Sequence, residues 1–345
     1  MATPNPGSQT TLNSIGTLPE LTDLVRRDFQ WTLNYFPRTA LQLFISDNVG
    51  AGNGSSKRYK EIDTETFADV KPEGVNSTKA KTGIGYEVDM TARTFSKECD
   101  VTLEMRNDNR YQQVGTMLRK LNEFCPNRQD LDLTHRLTFA TSTSYVDMNG
   151  NTVDTTMGDN LALLNSAHLL SFSSTTYNNI VTGNPAFSQG SYESAKLIAA
   201  TQVLTNFGER RTMNYNTIAT GQDPATIRTV KQLLNSMADI DAAQSGVVNV
   251  YKDGTKHVVL PYLDSTASGA YDSTKRRWWF YMATGQGTDG WQAYVGNWIT
   301  PQLRTPSAGN NGEDIHNLNW TFSTYCRFGI AVLSGRGAVG SSPTS

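Results

Sequence analysis

Cysteine is scarce in this chain, and its three copies, Cys99, Cys125 and Cys326, lie far apart in the sequence. An odd number with no C-x-x-C spacing excludes a disulfide framework or a cysteine zinc site as the organising feature, and it fits a reducing compartment. Histidine is equally sparse. His135, His168, His257 and His316 are all there are, and no two have the spacing of a metal-binding pair. The acidic pairs Asp130/Asp132 and Glu313/Asp314 have no His or Cys companion at ligand spacing, so they read as solvated charged faces. No metal and no cofactor is expected. A basic excess is also missing: 30 basic residues stand against 32 acidic ones, for a net charge of −2. That excludes the strong positive field of a duplex-binding protein. No apolar run approaches the ~20 residues of a membrane span. Met1 to Ser14 is polar, without the apolar segment of a secretory signal. The expectation is a soluble chain that stays inside the cell, at least initially, with no membrane partner.

Phosphate-loop chemistry is absent as well. In "VGAGNGSSK", Val49 to Lys57, the glycines lack the dinucleotide spacing and no Gly-Lys-Ser/Thr follows. The stretch reads as a flexible hinge.

What is present is length. The 345 residues exceed one ordinary core, so two lobes or one elaborated domain are expected. Met1 to Gly16 is a loose polar arm. Thr17 and Glu20 have capping-box spacing, with Pro19 in the first turn. They open a helix whose stripe is Leu21, Leu24 and Val25, with Phe29, Trp31, Tyr35 and Phe36 near its end. Tyr59 to Thr66 reads as a strand, and Ile84, Tyr86, Val88 and Met90 alternate as a second. Val101, Leu103 and Met105 continue that alternation. The tip between the two arms, Phe67 to Gly83, is far longer than the ~2–5 residues of an ordinary hairpin loop. Such a hairpin needs something to lie against.

Val114, Met117, Leu118, Leu121 and Phe124 have helical spacing, and Leu131, Leu133, Leu137 and Phe139 extend it to about Tyr145. Pro126 either kinks one helix or divides two. Asp147 to Asn151 is a turn. Ser191 to Thr205 reads as helix. Asp223-Pro224 caps another, with an apolar face of Ile227, Val230, Leu233, Leu234 and Met237. Asp253-Gly254 between two β-branched runs predicts a hairpin. In "KRRWW", Lys275 to Trp279, basic and aromatic residues mix as in single-strand binders. Trp278, Phe280 and Met282 nevertheless alternate as core residues would, and core or subunit interface is preferred. Pro301 to Gly312 is a linker. Trp320, Phe322, Cys326, Phe328, Ile330 and Val332 share one parity, an unusually long strand against the typical ~5–6 residues. Gly335 to Ser345 reads as a loose tail. The class is α+β.

Ser166 and His168, in "GDNLALLNSAHLL" after Asp154 and Asp159, raise the question of a catalytic pair. No Gly-x-Ser-x-Gly elbow surrounds Ser166. A structural histidine bonded to backbone is the preferred reading, with a Ser/His hydrolase as a minor alternative. No enzyme activity is expected.

The order of parts resembles the major capsid proteins of tailed bacteriophages with the Hong Kong 97-type fold. "DNLALLNSAH", Asp159 to His168, is similar to the D-G-x-x-L-F-x-T-A-H-P run of Mu-like head proteins, with Asn160 for Gly and Leu169 for Pro. "GEDIHNLNWTFSTYCRFGIAV", Gly312 to Val332, resembles their closing strand. "NTIATGQDPATIRTVKQLLNS", Asn216 to Ser236, resembles their axial-domain strand, loop and helix. The resemblance implies an N-terminal arm with a short helix over 1–45 and an extended β-hairpin over 46–106. It places a spine helix and peripheral domain at 107–175, an inserted axial domain at 176–305, and a return strand with tail at 306–345. It implies a virion structural protein that self-assembles, as hexamers and pentamers, into an icosahedral shell around packaged double-stranded DNA. Portal, scaffolding and decoration proteins are implied partners, DNA is contacted non-specifically at most, and assembly takes place in the host bacterial cytoplasm. Expected subunit contacts are Trp31, Phe67, Lys71, Glu73, Lys79, Lys81 and Arg93. His168 is expected to be a structural joint between the peripheral sheet and the axial domain. Some members crosslink neighbours through a hairpin lysine, an asparagine and a glutamate. Lys79 or Lys81 would take the first part, the other two have no match, and no crosslink is expected. Only a short arm precedes the first helix, which implies a separate scaffolding protein or none. An encapsulin-like storage compartment shares the fold and stands as the alternative.

Overall fold

A computed structural model describes residues 18–35, 38–108, 110–237, 248–252, 254–306 and 318–344. The arm before Thr17, Thr17 itself, Phe36, Asp253, the end of the predicted linker, Glu313, Asp314 and His316 lie outside these.

The first helix, α1 (Leu18–Tyr35), buries Leu21, Leu24, Val25 and Phe29, the stripe its spacing predicts. A short strand β1 (Ile45–Asn48) leads to β2 (Ser56–Thr64), β3 (Thr82–Thr91) and β4 (Arg93–Val101). β2 and β3 pair antiparallel as the long hairpin. The alternation expected to run on through Leu103 and Met105 stops at Val101. Thr102 caps a short helix α2 (Leu103–Asn107), its side chain accepting from the Met105 amide.

The long helix α3 (Tyr111–Thr138) is a single 28-residue element with Pro126 inside it. It ends before Tyr145, which lies in a small hairpin of β5 (Ser144–Val146) and β6 (Thr152–Asp154). Asp130 and Asp132, expected on a solvated face, are buried. Asp130 accepts from the Ala40 amide at 2.8 Å and Thr39 Oγ1 at 3.3 Å. Asp132 pairs with Arg128 one turn earlier at 3.0 Å. Desolvation pushes both carboxyls up. The helix is enclosed on all sides along this stretch, so polar residues there find partners instead of water. Phe124, expected on the apolar face, is exposed, and Cys125 takes the inward position.

Two short strands follow, β7 (His168–Leu169) and β8 (Thr176–Tyr177), then α4 (Gln189–Thr201), β9 (Thr217–Thr220) and α5 (Pro224–Asn235). Ser188 and Ser191 cap α4 reciprocally. Asp223 caps α5 through the Thr226 amide, with Pro224 in the first turn as predicted. Met237 falls beyond the helix and is exposed. Next come β10 (Lys256–Val259), β11 (Trp279–Met282), β12 (Ala293–Arg304), β13 (Trp320–Val332) and β14 (Ala338–Ser341).

Among the described residues, the run before Gly254 does not pair with β10 as the expected hairpin requires. β10 pairs in parallel with β9, and Val248 and Val250 are exposed. The predicted loose tail is also corrected, since β14 is buried throughout and pairs antiparallel with β11.

Two four-stranded sheets organise the chain. One has the order β1-β12-β13-β4, the other β10-β9-β11-β14. In the first, the inward side chains of β13 pack on α3, with Trp320 and Phe322 against Val114, Leu118 and Leu121. In the second, β9 and β11 are buried on both faces. Trp278, Phe280 and Met282 join the core shared with α3, while Trp279 and Tyr281 join the core under α4 and α5. The "KRRWW" aromatics are therefore core residues.

Candidate assembly surface

The extended hairpin is fixed at its root and free at its tip. Three anchors hold the root. Met90 fills a gap over the first sheet. Gly296 and Gly329 face each other there in register, and a Cβ at Gly296 would lie 2.1 Å from Met90 Cε, one at Gly329 2.6 Å from the Thr91 carbonyl. At 329 the fixed backbone leaves room only for glycine, while a side chain at 296 would have to displace the end of Met90. Tyr59 stacks on Tyr294 with centroids 4.2 Å apart. Its hydroxyl bonds Asp47, which also takes Lys57 at 2.5 Å.

The third anchor is ionic. Glu61 and Asp63 point inward from β2 while Ile62 points out, 70% exposed. Glu61 meets the guanidinium of Arg336, and each of the two is 3% exposed. Arg336 also donates to Asn206 Oδ1 at 2.5 Å, and its Nη1 lies 3.9 Å from Asp63. Asp63 accepts from the Asn206 amide at 2.7 Å. One arginine thus joins the hairpin to the segment before β14 and to the 206 loop. A buried pair of this kind contributes chiefly when both partners are present.

His168 lies beside this anchor. It is fully buried, its Nδ1 2.7 Å from Asp159 Oδ2 and its Nε2 3.2 Å from the Leu163 carbonyl. Its ring stacks on Tyr177 at 4.8 Å, and Arg336 lies over the other ring of that stack at 5.6 Å. Both partners of the imidazole are acceptors, so the histidine ties the Asp159 turn to β7. Ser166 is exposed, and both ring nitrogens are engaged elsewhere, so the hydrolase alternative fails. Asn160 adopts φ 59°, the left-handed region that favours glycine and next asparagine. That explains why asparagine replaces the glycine of the resembled motif. Replacing His168 with Gln is expected to destabilise the subunit by about 2–3 kcal/mol, because the buried Asp159 oxygen loses its donor. Chemical denaturation of the unassembled subunit checks this.

Beyond the root, residues 66–82 are exposed along their whole length. Phe67 is 66% exposed and Val70 93%, and Val75 is also exposed. Lys71, Glu73 and Lys79 carry no ion pair among the described residues. Lys81 is held by Glu65 at 2.9 Å. That hydrogen bond raises the lysine's pKa, and the Lys81 amide and ammonium lower that of Glu65. Arg93 is bound to Asp147. Trp31 is exposed at the end of α1 beside Tyr35, with centroids 5.5 Å apart. The structure therefore brings Phe67, Lys71, Glu73, Lys79 and Lys81 onto one projection, and places Trp31, Arg93 and His168 on other elements. Sequence reasoning missed Glu61, Asp63, Met90, Asn206 and Arg336. The only local signal was the inverted parity of β2, which turns carboxylates inward.

A family model described as phage capsid protein matches residues 85–341. The chain belongs to the phage capsid protein family. Its fold is of the Hong Kong 97 type. It is similar to the capsid of Ralstonia phage GP4 at 12% identity, with a TM-score of 0.52 over 88% of each chain. It is also similar to the capsid of a native GTA particle at 11% identity, with a TM-score of 0.50 over 89% of this chain and 90% of that one. No curated protein matches the capsid chain. It is a structural major capsid protein, not an enzyme, and it assembles with copies of itself into the shell of a virion.

Proposed function

We propose that the shell is icosahedral, built from hexamers and pentamers, and encloses packaged double-stranded DNA. The observation that carries the contact assignment is the exposed tip on an anchored root. Phe67, Val70 and Val75 have no cover among the described residues, and a neighbouring copy is the surface that supplies it. Lys71, Glu73 and Lys79 flank this apolar set as polar contacts, with Trp31 as a second contact on α1. Lys81 and Arg93 already have carboxylate partners, so in this reading they stiffen the contact from within the chain.

Contacts between identical subunits around a symmetry axis are heterologous, head to tail. A contact worth about 4 kcal/mol is millimolar alone, and several per subunit make the shell cooperative. The net charge of −2 suits an inner wall that touches DNA non-specifically without trapping it. Under this reading the arm, hairpin, spine, axial and return segments divide near 45, 106, 175 and 305. His168 acts at the joint of the peripheral and axial parts. Portal, scaffolding and decoration proteins are the further partners, and assembly proceeds in the host bacterial cytoplasm. Low-dose electron microscopy of the expressed protein is expected to show closed shells or capsomers. A monodisperse monomer at high concentration would overturn the reading.

A further inference from the structure

Two of the three cysteines, remote in sequence, meet in the core. Cys125 points inward from α3 just before Pro126, and Cys326 points inward from the middle of β13. Each is 2% exposed, and with Phe328 they form one buried cluster. Thr324, two residues earlier on the same face of β13, donates from Oγ1 to the Cys125 sulfur at 3.4 Å. The Cys326 side chain packs beside the same sulfur in this cluster. Cys99 lies apart on β4 and is not in this cluster.

The helix is weak at this turn. Pro126 has no N–H, so the Asn122 carbonyl lacks its helical donor. The Asn122 side-chain amide is buried with no hydrogen-bond partner among the described residues. Cys125 also lines a surface groove of about 560 Å³, shared with Phe95, Phe124 and Arg128. That groove and the weakened turn give a small reagent a route to the sulfur.

We propose that Cys125 and Cys326 form a covalent modification site, a dithiol that closes to an intrachain disulfide between α3 and β13 when it meets a small disulfide oxidant such as oxidised glutathione. Cys125 is the attacking sulfur. The neighbouring Cys326 thiol, and then the Thr324 hydroxyl, hold its thiol down, to about 7, while that of Cys326 is raised by Cys125 and by burial. The Cys125 thiolate attacks one sulfur of the oxidant, forming a mixed disulfide and expelling one thiolate. Cys326 gives its proton to that thiolate and attacks the Cys125 sulfur, expelling the second glutathione thiolate, which takes up a solvent proton. Two electrons pass from the protein to the oxidant, which leaves as two thiols. The resulting bond ties the spine helix to the longest strand across a large loop, where a disulfide restricts the unfolded chain most.

The test uses the purified full-length capsid protein. It is incubated with oxidised glutathione, blocked with N-ethylmaleimide in denaturant, and digested with trypsin without reduction. Mass spectrometry is expected to find peptides 121–128 and 305–327 joined, with Cys99 alkylated. Free thiols fall from three to one, and the melting temperature rises by about 5 °C. Cys99→Ser keeps the linked pair. Cys326→Ser abolishes it and leaves glutathione on Cys125. Recovery of Cys125 and Cys326 both alkylated would overturn the proposal. So would a linked peptide that contains Cys99, or glutathione left on Cys125 of the unsubstituted protein.

Discussion

Replacing Arg336 with Met is expected to destabilise the subunit by about 3–5 kcal/mol and to block shell formation although the hairpin tip is untouched. The arginine is the common partner of Glu61, Asp63 and Asn206. Without it, the Glu61 carboxylate stays inside the protein with no counter-charge. The hairpin can relieve that only by lifting its root into water, which also pulls Met90 and Tyr59 from their sites. Thermal melting and chemical denaturation of the unassembled subunit measure the first effect, and particle yield measures the second. A second substitution separates the ionic cause from general damage. Glu61→Leu combined with Arg336→Met removes both charges, so most of the lost stability is expected to return. If the double variant is as unstable as the single one, the ion pair is not the anchor.

Replacing residues 66–81 with a two-residue Asn-Gly turn is expected to have the opposite signature. The removed residues are exposed, and their bonds to the rest of the described chain are few, Thr66 to Glu209 and the partly exposed Lys81 to Glu65, so subunit stability should change little. Assembly should fail. Burial of each of Phe67, Val70 and Val75 against a neighbour is worth about 1.5–3 kcal/mol. Loss of all three is expected to raise the concentration needed for assembly about a thousandfold or more. Light scattering across a concentration series reads this directly. Normal shells from the shortened hairpin would remove the tip from the contact assignment. Together the two variants divide the hairpin into a root that sustains the fold and a tip that sustains the shell.

Much of the frame is legible locally. The stripe of α1, the Asp223-Pro224 cap of α5, the alternation of β3 from Tyr86 to Met90 (Ile84, expected on that face, is exposed) and the long parity of β13 each follow from side-chain period and capping chemistry. The excess length of the hairpin tip was readable for the same reason, because a polar, glycine-containing run between two strands has no cover of its own. The misreadings share a different cause. Asp130 and Asp132 look solvated until the surrounding chain closes over α3. "VVLPYL" looks like the second arm of a hairpin until β9, far earlier in the chain, offers a parallel edge. "SGRGAVGS" looks like a loose tail until β11 pairs with it. In each case the partner is distant in sequence, and local pattern carries no information about it.

The sequence by itself determined the α+β class, the Asp223-Pro224 cap of α5, the projecting hairpin and the lack of a catalytic elbow around Ser166, since these rest on neighbours within a turn or two. Only the tertiary structure decided that His168 faces Asp159, that Glu61 faces Arg336, and that Cys125 faces Cys326. The last two pairings join segments far apart in sequence, the first closes a buried turn, and burial turns ordinary polar residues into obligatory partners.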